Sequence, residues 1–414
     1  MACNPKTLLK EANESKFILF QNAVEKISFF LIFLIVARTL PNYDYGKIIT
    51  VFTLSNSLAV VFNFGLPIYL QRLAAQRNSK IKEVYNTSLF LNLLSFLVYL
   101  PSVIFFANLL FGNIEFILVL IIALTVFISF ASATPFGYLS GIKKYKLIFL
   151  IILFSRIFAI CLLLLVLILN IKSPVYLLIP ILISGILHFT LQYISSEKEL
   201  KNIQSSKIQS RNVIKLLKVT LPLYFAVVFN FLYDKIDVLI ISKIINYAEL
   251  SYYSVGYGVF KSSSIAFAFL LVGGLTKASY LCNSKKGIKL FIKKYATIIM
   301  IITVPIFFIL FLFPDIIINI LYGKKYENSI FIIKWLSPAI ILLGLNNLTG
   351  VLLNSFGMFK ANMIITLIGL LVNIILNILF LNYYGIIISV IATIVTEFLI
   401  LAGGVIYLKN KLKK

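Results

Sequence analysis

Two short runs hold the residues best suited to chemistry. Asn230, Asp234 and Asp237 are spaced i, i+4, i+7, so they share one face of a helix. Gln21, Glu25 and Ser28 repeat that spacing in another apolar stretch. A lysine follows the acid in each run, Lys26 after Glu25 and Lys235 after Asp234, about 100° further round the helix. Acid and base so placed can bind an anion, take up a cation or a proton, or form a structural ion pair. The spacing is compatible with all three. Glu397 stands in a third apolar run with no sequence partner and is a candidate for ion coupling.

Other chemistries lack their residues. No G-x-x-x-x-G-K-[ST] loop for ATP occurs. His188 is the one histidine, which removes metal clusters and most histidine-based triads. It is expected to be a packed or interfacial residue. Cys3, Cys161 and Cys282 are too far apart in sequence for a metal-ligand motif, and Cys161 reads as a small apolar helix residue. The chain is therefore expected to be a non-enzyme without metal or cofactor, with coupling to H+, Na+ or the membrane potential as the open energetic question.

The elements that hold these residues are set by composition. The chain is 61% hydrophobic and 13% charged, with a mean hydropathy of +1.02, where a soluble domain carries about 25% charged residues. Lipid must be the solvent for much of this surface. A hydrocarbon core about 30 Å thick needs about 20 apolar helical residues. Runs of that length predict helices near 17–39, 47–70, 86–108, 114–138, 147–170 and 174–195. A second set is predicted near 219–242, 252–276, 293–314, 330–356, 361–382 and 384–407. A charge at the centre of such a helix costs about 2.5–3.5 kcal/mol on insertion scales. By that standard Glu25, Lys26, Arg38, Arg156, Asp234, Lys235, Asp237, Lys261, Lys334 and Glu397 all require a function or a partner. Lys334 is expected to snorkel to an interface.

The formal net charge of +24 is assigned to the membrane rather than to nucleic acid. With the N-terminus inside, 27 Lys and Arg fall in the tails and even-to-odd loops. The opposite loops carry five: Lys47, Lys172, Lys243, Lys324 and Lys325. This asymmetry predicts both termini in the cytoplasm. The segment near 314–329, with Asp315 and Glu327, is then an external loop of about sixteen residues without a catalytic set. The first apolar helix is expected to act as its own insertion signal.

The two sets of six resemble each other. Glu25-Lys26-Ile27-Ser28 matches Asp234-Lys235-Ile236-Asp237, and Gly65-Leu66 matches Gly274-Leu275. Asn108-Leu109-Leu110-Phe111-Gly112 matches Asn319-Ile320-Leu321-Tyr322-Gly323, and Ser140-Gly141 before Lys143 matches Ser355-Phe356-Gly357 before Lys360. Near-constant offsets indicate duplication, and an even number of helices per half makes the repeats parallel. The predicted organisation is a tail (1–16), a six-helix lobe (17–195), a basic linker (196–218), a second six-helix lobe (219–407) and a basic tail (408–414). Gly137-x-x-x-Gly141 and Gly273-Gly274 are expected to allow close helix contact. Tyr43, Tyr45, Tyr247, Tyr252, Tyr253 and Tyr257 are expected to form an aromatic belt, with sugar stacking as the alternative.

The chain resembles the multidrug/oligosaccharidyl-lipid/polysaccharide exporters and, among them, the Wzx-type O-antigen or capsule flippases. Arg38-Thr39-Leu40-Pro41 leading to Tyr45-Gly46, Gly65-Leu66-Pro67 leading to Arg72, Leu221-Pro222 before Lys235-Ile236-Asp237, Tyr252-Tyr253, and Leu321-Tyr322-Gly323 carry the resemblance. It implies an all-α polytopic protein of about twelve transmembrane helices in two MATE-like lobes around a central cavity. It also implies alternating access for a polyprenyl-diphosphate-linked oligosaccharide in the bacterial cytoplasmic membrane. Lys26, Arg38, Arg72, Lys235 and Lys261 are the implied diphosphate contacts. Glu25, Asp234, Asp237 and Glu397 are the ion-coupling candidates. Membrane lipids and other polysaccharide-assembly membrane proteins are the expected partners. An ion-coupled multidrug exporter is the nearest alternative, and a membrane glycan polymerase a more distant one.

Overall fold

The computed structural model describes residues 5–62, 64–76, 80–112, 114–201, 203, 210–271, 278, 281 and 284–413. For residues 5–15, 210–223, 226, 268–270, 285 and 413 it describes the backbone alone. Cys3, Cys282, Gly273-Gly274 and the match of Gly274-Leu275 to Gly65-Leu66 lie outside the described residues, as does Lys207 of the expected linker. The described residues contain helices and no strand.

Among the described residues, eight helices are long and apolar enough to cross a membrane, and ten if two bent pairs count as single spans. Ten of the twelve expected spans thus have a counterpart among the described residues. The two remaining expected spans, near 219–242 and 252–276, carry Asp234, Lys235, Asp237 and Lys261 and run partly beyond the fully described residues. Side chains on the crossing helices point outward in numbers that only lipid can solvate. Leu97 is 64% exposed and Ile168 80%.

Two compact units divide the chain: Met1–Leu40 with Thr50–Val228, and Pro41–Ile49 with Phe229–Lys414. The division falls at Val228 rather than in the linker expected at 196–218. Much of that expected linker is helical, because one helix runs on to Leu200 and the next begins at Ser210.

The first unit contains α1 (Pro5–Thr39), the later part of α2 (Asn42–Val61), α3 (Leu66–Ala75), α4 (Ile81–Phe111), α5 (Phe116–Ala131), α6 (Ala133–Gly141), α7 (Tyr145–Ile168) and α8 (Pro174–Leu200). The α2–α3 pair bends by 55° where Gly65 takes φ 69° and Pro67 starts the next helix. α7 packs on α1 and α8, and α3 lies against α6. That crossing needs the expected small residues: a Cβ on Gly137 would sit 2.5 Å from the Pro67 carbonyl oxygen, and one on Gly141 2.5 Å from that of Gln71.

The second unit contains the later part of α9 (Ser210–Ile244), then α10 (Tyr247–Ser263), α11 (Ile265–Leu271), α12 (Lys285–Leu312), α13 (Pro314–Leu321), α14 (Asn328–Leu336), α15 (Ala339–Ser355), α16 (Phe359–Tyr384) and α17 (Ile387–Lys413). The expected loop at 314–329 is therefore helical: Pro314 opens α13 and a short 3-10 turn covers Lys324–Tyr326. α14 and α15 meet at 47° around Pro338. α17 packs along α16 and α15, and α10 along α14.

The duplication is visible in local backbone geometry. After α6, Lys143 is left-handed (φ 62°), its N–H donates to Ser140 and that of Lys144 to Leu139. After α15, Gly357 is left-handed (φ 71°), its N–H donates to Asn354 and that of Met358 to Leu353. Both are the same helix-ending motif at matched positions. Gly112 and Gly323 likewise both take positive φ.

Candidate functional site

The acids of α9 face α10 in an antiparallel pairing. Tyr253, Tyr257 and Lys261 are spaced i, i+4, i+8 along α10, opposite Asp237 and Asp234. The Tyr253 hydroxyl donates to Asp237 Oδ2. One step along, the Tyr257 hydroxyl donates to Asp234 Oδ1 at 2.9 Å, and Lys261 Nζ reaches the same oxygen. Lys235 Nζ lies 3.2 Å from Asp234 Oδ2. Both lysines thus converge on one carboxylate. They also flank the Tyr257 ring, at 5.4 Å for Lys235 and 5.9 Å for Lys261, within cation–π range. Asp234, Lys235, Tyr257 and Lys261 are half-buried.

Asp237 is buried, and its Oδ1 has no hydrogen-bond partner. Glu397 is buried on α17 and accepts from Asn346 Nδ2 at 2.5 Å, an amide that also reaches the Glu397 carbonyl at 2.8 Å. Lys261 interacts electrostatically with Glu397, which places the helix 17 carboxylate in the field of the α9–α10 group. The Tyr233 and Thr396 hydroxyls meet at 3.4 Å between α9 and α17.

A polar ladder missing from the sequence-based candidates runs between α16 and α17. Asn377 Nδ2 donates to Asn373 Oδ1 at 3.0 Å, and Ser389 Oγ donates to Asn377 Oδ1 at 2.5 Å. The signal was present in the i, i+4 asparagines of an apolar helix, which neutral side chains make easy to overlook. Burial settles the tyrosines too. Tyr45 and Tyr253 are buried, Tyr45 against the Tyr326 ring, and Tyr257 serves Asp234, so these three are internal residues and not an aromatic belt.

The first unit does not repeat the arrangement. Glu25 is half-buried, and among the described residues no cation lies within ion-pair distance of it. Lys26, on the adjacent face, is exposed, and so are Arg38 and Arg72. Glu25 instead feels Arg156 of α7 electrostatically. Arg156 is buried, its guanidinium 4.2 Å from the Phe29 ring centroid. His188, buried on α8, also lies within electrostatic range of Arg156. Within the second unit the structure therefore brings together Asp234, Lys235, Asp237, Lys261 and Glu397; Lys26, Arg38 and Arg72 belong to the first unit and are exposed there. Lys334 is exposed, its ammonium 5.3 Å from the Phe311 ring.

The chain is similar to an uncharacterized membrane protein of Methanocaldococcus jannaschii, at 24% identity over 95% of this chain and 96% of the relative. Its fold matches the lipid II flippase MurJ in an inward closed conformation, with a TM-score of 0.77 and 18% identity over 95% of this chain and 87% of that one. It also matches an inward-facing multidrug resistance MATE transporter of the MOP superfamily, with a TM-score of 0.71 and 13% identity over 96% and 99% of the two chains. The family described as polysaccharide biosynthesis protein matches residues 35–331. With that match across most of its length, the chain belongs to the polysaccharide biosynthesis protein family.

Proposed function

We propose that this protein flips a polyprenyl-diphosphate-linked oligosaccharide, carried on undecaprenyl diphosphate, from the cytoplasmic to the outer leaflet of the bacterial cytoplasmic membrane. The product would feed O-antigen or capsule assembly, and transport would proceed by alternating access. The family and the fold support the class of protein; the Asp234–Lys235–Lys261 group supports the anionic substrate. Two ammonium groups share one carboxylate there, between α9 and α10, beside an aromatic face suited to a sugar ring. Lysines present point charges to a diphosphate rather than bidentate forks.

The charge balance links this site to ion coupling. Lys235 and Lys261 stand against Asp234, Asp237 and Glu397, a net charge of −1 with all five groups ionised. A proton or sodium ion at Asp237 or Glu397 brings the sum to zero, and one at each brings it to +1. An anionic substrate then binds more tightly to the cation-loaded protein, and by reciprocity the cation binds more tightly to the substrate-loaded one. Outward movement of a diphosphate with about two negative charges would also gain about 4.6 kcal/mol per 100 mV, inside negative.

A multidrug exporter reading shares the fold. However, with a cation at both Asp237 and Glu397 the site carries +1, and in that state it disfavours cationic drugs. Proteoliposomes with a labelled lipid-linked oligosaccharide test the proposal. Flipping should need no ATP, should slow when a potassium–valinomycin clamp removes the potential, and should fail in Lys235→Ala and Lys261→Ala. Wild-type rates in both variants would overturn it.

A further inference from the structure

The first ten residues of α12, Lys285 to Lys294, include five lysines. At about 100° per residue, Lys286, Lys289, Leu290, Lys293 and Lys294 fall within one sector about 140° wide. All five side chains are exposed. Ile288, Phe291, Ile292 and Tyr295 fall on the opposite side and pack into a core cluster with Leu352, Leu408 and Leu412. This segment is thus a basic, amphipathic start to a membrane helix. The same cluster holds Met358 and Leu408, which brings exposed Lys360, Lys409 and Lys411 to this end of the unit.

Among the described residues no carboxylate lies within ion-pair distance of these lysines. Residues 284–314, 350–386 and 398–414 contain neither Asp nor Glu. Further along α12 the exposed face turns apolar: Met300 is 38% exposed, Ile301 65% and Phe308 51%. At about 1.5 Å per residue, Lys289 and Ile301 are about 18 Å apart, close to the depth of one leaflet of a 30 Å core. One helix face therefore presents cations at headgroup level and an apolar strip at acyl-chain level.

We infer that this face of α12, with the lysines that flank it, is a binding surface for anionic phospholipid. A phosphodiester headgroup would sit among Lys286, Lys289 and Lys293, with the acyl chains along Ile301 and Phe308. The site is separate from the α9–α10 group and does not depend on the proposed substrate.

Native mass spectrometry of the full chain in detergent, titrated with phosphatidylglycerol or phosphatidylcholine, tests this. Wild type should retain phosphatidylglycerol in preference to phosphatidylcholine. Each lysine removed should lower apparent affinity about fivefold, as expected for about 1 kcal/mol per basic residue near a charged surface. The triple variant Lys286→Gln, Lys289→Gln, Lys293→Gln should lose the preference. A control triple, Lys47→Gln, Lys172→Gln, Lys324→Gln, should keep it. Circular dichroism and the thermal midpoint check that each variant is folded. Equal retention of the two lipids by wild type, or equal loss in both triples, would overturn the inference. So would competition by glycerol phosphate at the same concentration as the lipid, since that would mean the acyl strip contributes nothing.

Discussion

The two halves of the molecule began with the same polar run and used it differently. In the second unit Asp234 is held by Lys235, Lys261 and Tyr257, and the cations stand with their counter-ion. In the first unit Glu25 lacks an ion pair among the described residues, Lys26 is exposed, and the buried cation is Arg156, stacked on Phe29. The difference lies in the neighbouring helix. α10 offers Tyr253, Tyr257 and Lys261 on one stripe, whereas α7, which packs on α1 in the first unit, offers Arg156, with His188 of α8 in range of Arg156. Duplication set where charges enter the membrane, and divergence of the neighbours decided what each charge does.

The sharpest way to break this comparison is to neutralise the two acids. Asp234→Asn leaves two lysines without their carboxylate and should cost about 1–3 kcal/mol, below the 3–5 kcal/mol of a fully buried pair because these side chains are partly solvated. Glu25→Gln removes no ion pair among the described residues and should cost under about 1 kcal/mol. Thermal midpoints of the purified variants measure both, and equal losses would show that the halves are energetically alike.

A second contrast concerns transport. Lys235→Ala should abolish most export of surface polysaccharide, Lys26→Ala should reduce it less, and Lys334→Ala should leave it near wild type. The assay is polysaccharide on intact cells at matched protein levels. Normal export in a Lys26→Ala, Lys235→Ala double variant would remove both lysines from the mechanism.

Smaller effects are expected from the buried acids. Asp237→Asn and Glu397→Gln should fold, since neither carboxylate has a lysine at ion-pair distance among the described residues. Each should flatten the sodium or pH dependence of flipping in proteoliposomes while substrate still binds. An unchanged dependence in both variants would make these acids structural.

The smallest expected effect tests the repeat itself. Lys143 holds the left-handed position that Gly357 holds in the other unit. A left-handed non-glycine residue costs about 1 kcal/mol. Lys143→Gly should therefore raise stability by up to about that amount, and Gly357→Lys should lower it similarly, read as opposite shifts of the thermal midpoint.

Sequence alone determined the solvent, the helical class and the repeat. An apolar run of bilayer length has no alternative to helix in lipid, where every backbone N–H and C=O must be satisfied within the segment. The matched pentapeptides ending in Gly112 and Gly323, and the matched segments ending α6 and α15, carried the duplication into the backbone. Sequence also placed Asp234 and Asp237 on one face, because helical periodicity is a local property. The partners of those residues belong to tertiary structure. Lys235 is Asp234's neighbour in the chain, but Lys261 is 27 positions away, and only the antiparallel pairing of α10 with α9 sets it on Asp234. Asn346 reaches Glu397 across 51 residues, and Ser389 closes on Asn377 from another helix. The bend at Pro338 and the helix at Pro314–Leu321 replaced an expected straight span and an expected loop. Periodicity fixes which face a side chain occupies, while packing, which depends on residues far away in the chain, fixes what that face meets.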